Sequence, residues 1–272
     1  MEQNKILHNG VAMPVLGLGV FRSEEGAEVE NAINFAVEAG YRHIDTAAIY
    51  GNERGVGKAI NSCGVPRSEL FVTTKLWNAE QGYESVFKAF DKSLARLQTD
   101  YIDLYLIHWP VKGKYKESWR ALEQIYKSGR ARAVGVSNFM VHHLADLLPE
   151  VEIVPMVNQV EFHPHLQQPE LLKLCQKYQI AHEAWSPIMK GKADQVETLV
   201  EIGRNYNKSG NQVALRWELQ KGSIVIPKSV KKERIIANAA IFDFNLTNEE
   251  MQQIDRLDLN QRIGPDPNNF SF

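Results

Sequence analysis

The chain has little that could brace it from outside its own core. Its only two cysteines in 272 residues are Cys63 and Cys175, too few for a disulfide framework or a zinc cluster, and they point to a reducing compartment. Charge of one sign is also missing: 31 basic against 33 acidic residues leave a net charge of -2. Nothing in this balance suggests a nucleic-acid or membrane surface, and neither partner is expected. No long apolar run follows Met1-Glu2-Gln3-Asn4-Lys5, so neither a secretory leader nor a spanning helix is expected, and the expected location is cytoplasmic. There is no low-complexity linker or shift in composition, which predicts one domain over residues 1–272, and no obligate protein partner is evident. A phosphate-cradling Gly-x-Gly-x-x-Gly after the first strand is absent as well, and this counts against an open dinucleotide-binding sheet.

What is present is alternation. Asn9-Gly10 predicts a tight hairpin turn ahead of the first barrel strand, Pro14–Gly19. Ser23 is the expected N-cap of a helix whose stripe is Val29, Ala32, Ile33, Ala36 and Val37, closed by Gly40. Strands are expected at 42–45, 70–75, 102–108, 131–136, 155–160, 180–185 and 223–227. Helices are expected at 53–61, 86–97, 117–128, 139–147 and 168–178, with two more stretches within 194–220. The run Ile102–His108 is apolar almost throughout, the pattern of a parallel strand covered on both faces. Leu246-Thr247-Asn248-Glu249-Glu250-Met251 has the form of a capping box with a hydrophobic staple, opening a final helix at 248–257. Eight strand-helix units in ~250 residues predict a closed (β/α)8 TIM barrel with an N-terminal β-hairpin and a short C-terminal tail.

In such a barrel the C-terminal strand ends carry the chemistry, and here those ends are polar. Asp45 ends the second strand, with Tyr50 in the loop beyond; Lys75 ends the third, followed by Trp77; His108-Trp109 end the fourth. Ser137-Asn138 follow the fifth, Gln159 lies in the sixth, Trp185-Ser186 close the seventh, and Lys228-Ser229 follow the eighth. A phenol has an ordinary pKa of ~10, and an adjacent ammonium favours its ionised form. Lys75 is expected to lower the pKa of Tyr50 in this way, with Asp45 holding the ammonium and His108 hydrogen-bonding the same substrate oxygen. The four describe a general acid ready to protonate a developing alkoxide, which is half of a carbonyl reduction. The other half is a hydride from a cofactor.

Gly40-Tyr41-Arg42-His43-Ile44-Asp45-Thr46-Ala47-Ala48-Ile49-Tyr50-Gly51-Asn52-Glu53 resembles the first signature of the aldo-keto reductase family. Val136-Ser137-Asn138-Phe139, Asn158-Gln159-Val160-Glu161-Phe162-His163-Pro164 and Ile226-Pro227-Lys228-Ser229-Val230 are similar to its other landmarks. The resemblance, strongest to the shorter bacterial members of the 2,5-diketogluconate and glyoxal reductase type, runs from about Ile6 to Leu259. It implies NADPH-dependent reduction of aldehydes and ketones (keto-sugars, glyoxals, aromatic aldehydes) by a monomeric enzyme. Asp45, Tyr50, Lys75 and His108 would form the catalytic tetrad, with Tyr50 as proton donor. Ser137, Asn138 and Gln159 would bind the nicotinamide carboxamide, Trp185 would stack on the ring, and Gly19 and Val20 would pass beside the cofactor. Ser186 and Ile188 would lie near the pyrophosphate. Lys228, Ser229, Val230, Arg234 and Asn238 would take the 2′-phosphate. Ala237 stands where relatives often carry an acidic residue, which allows some use of NADH. Phe21, Ile49, Trp77 and Trp109 would form the apolar walls, and the short tail implies an open pocket.

Other signals are weaker. Gly51–Lys58 has the wrong spacing for a phosphate-binding loop, and Ala59 replaces the Ser or Thr it needs. His142-His143 and His163-Pro164-His165 lack companions for a metal site, so no metal is expected. Two other readings of the chain remain open from sequence: a Schiff-base lyase using Lys75, and a binding or structural family member without turnover.

Overall fold

The computed structural model describes residues 4–272. Met1, Glu2 and Gln3, which open the stretch read for a leader, lie outside the described residues. Strands β1 (Asn4–Ile6) and β2 (Ala12–Pro14) pair antiparallel across the expected turn. Eight parallel strands follow in chain order around one sheet: β3 (Gly17–Gly19), β4 (His43–Asp45), β5 (Phe71–Leu76), β6 (Ile102–Ile107), β7 (Ala131–Ser137), β8 (Val157–Glu161), β9 (Ala181–Trp185) and β10 (Ile224–Val225). Parallel bridges Leu16–Val225 and Gly19–Lys228 close the ring. At Gly19 a Cβ would stand 2.9 Å from the Ile226 carbonyl oxygen, so barrel closure itself requires a glycine there.

The helices are α1 (Ala27–Glu38), α2 (Glu53–Ser62), α3 (Tyr83–Leu97), α4 (Tyr115–Lys127), α5 (Val141–Leu147), α6 (Pro169–Lys177), α7 (Glu197–Tyr206), α8 (Gly210–Gln220), α9 (Lys232–Ala239) and α10 (Asn248–Asp255). The stripe expected for α1 is its buried face, and β6 is buried at every position, as its apolar run implied. The capping box of α10 forms: Thr247 Oγ1 accepts from Glu250 N at 3.2 Å and Glu250 Oε2 accepts from Thr247 N at 2.8 Å.

Two expectations fail. Ser23 is not a helix cap: α1 begins at Ala27 after Gly26, and the Ser23 hydroxyl is buried with no hydrogen-bond partner. Helix α9 was not expected, because only Ile235 and Asn238 of its eight residues are buried, too few to write a helical stripe. Cys63 and Cys175 are both free thiols. Among the described residues no helix is long and apolar enough to cross a membrane.

Candidate active site

The loop after β4 carries Tyr50 in a single 3-10 turn, Ala48–Tyr50, and buried side chains fix both of its ends. Thr46 Oγ1 donates to Asn52 Oδ1 at 2.8 Å, while Asn52 Nδ2 donates to the carbonyls of Val20 (2.9 Å) and Ser23 (3.1 Å). One residue on, Glu53 accepts from Thr74 Oγ1 at 2.6 Å and Arg96 Nε at 2.5 Å. Tyr50 therefore stands on a clamped turn. Its ring centroid lies 5.2 Å from Lys75 Nζ and 5.7 Å from that of His108. Lys75, fully buried, donates to Asp45 Oδ1 at 2.6 Å and to the Thr46 carbonyl at 2.8 Å. Residues 45, 50, 75 and 108 thus meet in one place.

The electrostatics correct one expectation. Tyr50 was expected to be more acidic than a free phenol, yet its pKa is raised. Burial disfavours the phenolate by more than the Lys75 charge favours it, and Asp45 opposes Lys75 in this. Burial also pushes the Lys75 pKa down, but Asp45 and Tyr50 outweigh it and the net shift is upward. Burial, helped by Lys75, holds His108 well below the ordinary imidazole range. At neutral pH the site thus holds an intact phenol, an ammonium and a neutral imidazole.

A polar trio flanks this centre. Ser137 Oγ donates to the Gln159 carbonyl at 2.9 Å; Asn138 Nδ2 donates to the His108 carbonyl at 2.9 Å and to Ser137 Oγ at 3.1 Å. Gln159 Nε2 directs its hydrogens at two carboxyls, Asp45 Oδ2 (2.8 Å) and Glu183 Oε2 (2.9 Å). The trio's hydrogens are thereby committed to the protein, and what remains for a ligand is acceptor oxygen, the complement of a carboxamide NH2. Trp185 is fixed beside it, with Nε1 donating to Asn138 Oδ1 at 2.9 Å.

The remaining candidates divide. Val20 is fully buried, with its N–H donated to the Asp45 carbonyl and its own carbonyl accepting from Asn52 and Ser23, so its polar groups serve the barrel. Ile188 packs against the core, and Ser186 and the residues after Ile188 run through left-handed conformations at Ser186, Met189 and Lys190. Beyond β10, Lys228 and Arg234 are exposed beside buried Ser229 and Asn238, with Val230 half-buried. Neither cation belongs to an ion pair among the described residues, whereas Lys232 pairs with Glu38 at 2.9 Å. Phe21 (52% exposed) and Ile49 (47%) stand at the rim, and the Phe21 ring lies 5.0 Å from that of Tyr50. The Trp77 ring lies 5.4 Å from that of His108.

The open pocket expected from the short tail is not found. Phe272 stacks on Trp77 at 5.9 Å, and Phe270 lies 5.1 Å from Trp109, so the tail covers this wall. The tail is led there by buried Glu161, whose Oε1 accepts from Ile263 N (2.6 Å) and Gly264 N (3.1 Å). Gly264 runs so close to Trp185 that a Cβ would come within 2.3 Å of its ring. Sequence reasoning missed Glu161, Glu183, Phe270 and Phe272. For the two glutamates the available signal was a carboxylate inside a strand otherwise apolar or already assigned.

Buried titratable groups set a pH dependence of stability. His43 and His182 are held down to about 3 by burial, and His108 is lowered in the same way. Burial pushes Glu183 up to about 8 and Glu218 well above the ordinary carboxyl range. Below the ordinary histidine value of 6.5 the unfolded chain takes up protons that the folded chain refuses at these three histidines, and His143 and His165, lowered chiefly by burial, act in the same direction. The two glutamates oppose this down to their ordinary value of 4.5. Above 6.5 only the glutamates act, and the folded state holds protons that the unfolded state has lost. Each unmatched proton changes stability by about 1.4 kcal/mol per pH unit. Urea unfolding should therefore show a maximum near pH 6.5, with a steeper fall on the acid side below pH 4.5. A flat profile from pH 4 to 8 would contradict the buried neutral assignments.

Residues 15–259 match the model of the aldo/keto reductase family. The chain is 58% identical to the glyoxal reductase of Bacillus subtilis strain 168, over 98% of this chain and 96% of that one. Its fold is similar to that of MGS-M4, an aldo-keto reductase from a Medee basin deep-sea metagenome library, with TM-score 0.96 and 45% identity over 98% and 100% of the two chains. It is also similar to a variant of Gox0644 solved in complex with NADPH, with TM-score 0.95 and 41% identity over the whole of both chains.

Proposed function

The chain belongs to the aldo/keto reductase family, and from that premise we propose that it reduces aldehydes and ketones to alcohols with NADPH, Tyr50 donating the proton. The observation that carries the reading is the Asp45–Lys75 pair at 2.6 Å beneath a phenol and a neutral imidazole. When bound, the reduced nicotinamide supplies a hydride to the carbonyl carbon. Tyr50 gives its proton to the oxygen as negative charge develops there. The Lys75 ammonium, kept in place by Asp45 and the Thr46 carbonyl, steadies the phenolate left behind. His108, being neutral, donates one hydrogen bond and orients the carbonyl oxygen. Trp77 and Trp109 with Phe270 and Phe272 shield the site from water and favour small carbonyls with an apolar or planar flank. The B. subtilis relative's name supports glyoxals as the first substrates to try.

The acceptor oxygens of Ser137, Asn138 and Gln159 suit the carboxamide, and Trp185 offers a fixed ring face. Arg234 and Lys228, with Ser229 and Asn238, suit the 2′-phosphate that distinguishes NADPH from NADH. Arg234→Ala should raise the KM for NADPH by ~10- to 100-fold, the worth of one charge-assisted hydrogen bond, and leave that for NADH nearly unchanged. Equal effects on both cofactors would remove the phosphate assignment.

The lyase alternative needs an unprotonated Lys75, and the Asp45 contact keeps it charged. The deciding experiment is NADPH oxidation against glyoxals, aromatic aldehydes and keto-sugars. Turnover on members of this panel is expected. Silence across it, together with a borohydride-trapped adduct on Lys75, would overturn the reductase reading.

A further inference from the structure

Beneath the tetrad lies an ionisable group that the mechanism above does not use. Glu183 points into the barrel from β9, fully buried, two residues before Trp185. Its Oε2 shares the Gln159 amide with Asp45 Oδ2, which makes a continuous run Glu183–Gln159–Asp45–Lys75 through contacts of 2.9, 2.8 and 2.6 Å. Its Oε1 has no hydrogen-bond partner.

The groups facing it come from every neighbouring element. From β4 come Asp45 and His43, whose Nε2 lies 3.7 Å from Oε1 but is bonded to Thr73 Oγ1 at 3.1 Å. From β5 comes Lys75, already committed to Asp45 and Thr46. From β8 comes Gln159, and β10 pairs with it through Ile224. His43 is neutral, so the one cation nearby is neutralised by the one anion, and a second anion would be uncompensated.

Taking the reductase reading as the basis, we propose that Glu183 is a positioning residue of the tetrad. It is a buried carboxyl that keeps its proton through the neutral range, ionises in the alkaline range, and by the charge it then gains holds Tyr50 protonated. Burial first, then the Asp45 charge, push its pKa up to about 8, against the Gln159 hydrogen bond and Lys75. A negative charge at Glu183 in turn raises both Tyr50 and Lys75. The carboxyl so extends reduction, which needs the phenol, upward in pH, and delays the reverse oxidation, which needs the phenolate.

The test is Glu183→Gln, which keeps the hydrogen bond from Gln159 and the shape of the neutral acid but cannot ionise. The kcat for reduction should match the wild type at pH 6–7, while its alkaline limb moves down by about one pH unit, as expected on losing a buried charge one residue removed from the tetrad. Alcohol oxidation should set in at correspondingly lower pH. A merely structural residue would lower the rate at every pH without moving the limb, and that result, or superimposable profiles, would overturn the proposal. A second readout needs no turnover. Infrared difference spectra between pH 7 and pH 9 should show loss of a carboxylic-acid carbonyl band in the wild type that the Glu183→Gln spectra lack, which separates it from buried Glu218, and its absence would equally defeat the assignment. If Tyr50→Phe proved fully active, the reductase reading itself would fall. If Tyr50→Phe is inactive while Glu183→Gln is indistinguishable from wild type, only the role of Glu183 falls.

Discussion

Tyr50→Phe should lower kcat for carbonyl reduction by about 10²- to 10⁴-fold, the usual worth of a positioned general acid, with cofactor affinity preserved. The substitution removes one oxygen and little else. The ring contacts with Phe21, His108 and the Lys75 ammonium are those of a phenyl group and survive. The polar trio Ser137, Asn138 and Gln159 makes no hydrogen bond to Tyr50 and keeps its arrangement. What is lost is the proton delivered to the developing alkoxide. The effect should be insensitive to pH in the neutral range, because burial holds the wild-type phenol above its ordinary value and it is fully protonated there. Steady-state rates with a glyoxal would give the loss in kcat, and quenching of Trp185 fluorescence on NADPH addition would show that binding remains. Turnover close to the wild type would take Tyr50 out of the chemistry, whatever the rest of the site does.

How much of this could be read from the residues depends on whether the signal is local. The strands announced themselves because a parallel strand covered on both faces must be largely apolar, as Ile102–Ile107 is apart from Asp103, whose charge Arg67 and Arg132 meet. The polar ends of those strands then converge by topology alone, since every strand of a parallel barrel ends on the same rim. Helix α9 was not legible, because Ile235 and Asn238 are its only buried residues, too few to write a periodic stripe. Phe270 and Phe272 find Trp109 and Trp77 from the far end of the chain, and no local pattern encodes such a contact. The sign of the Tyr50 shift was out of reach for a different reason. Charge and burial pull the phenol in opposite directions, and only the depth of the site decides between them. Glu183 was hidden by parity: whether a strand residue faces the barrel interior or the helices is settled by register, here Gln159 opposite Glu183.

Lys75→Met should cost about 3–5 kcal/mol of stability at pH 7, as expected when one member of a buried ion pair is removed. Asp45 is 2% exposed, and Lys75 is its only cationic contact at hydrogen-bond distance among the described residues. Without the ammonium, the carboxylate would retain the Gln159 amide on Oδ2 and nothing on Oδ1, and the Thr46 carbonyl would lose its donor as well. The sign of the pH dependence then follows. An unpaired buried carboxylate has its folded-state pKa raised above the unfolded value, so the variant recovers stability as pH falls and Asp45 protonates, and loses it as pH rises. Adding Asp45→Asn should restore most of the loss, because the second charge leaves with the first, and a double-mutant cycle by urea unfolding would read the coupling directly. Reductase activity should be absent from both the single and the double variant, which separates the fold's need for neutrality from the reaction's need for a cation beside Tyr50. A single variant within about 0.5 kcal/mol of the wild type would mean that Asp45 finds another partner or takes a proton at little cost, and the Asp45–Lys75 pair would then hold the ammonium for chemistry without supporting the barrel.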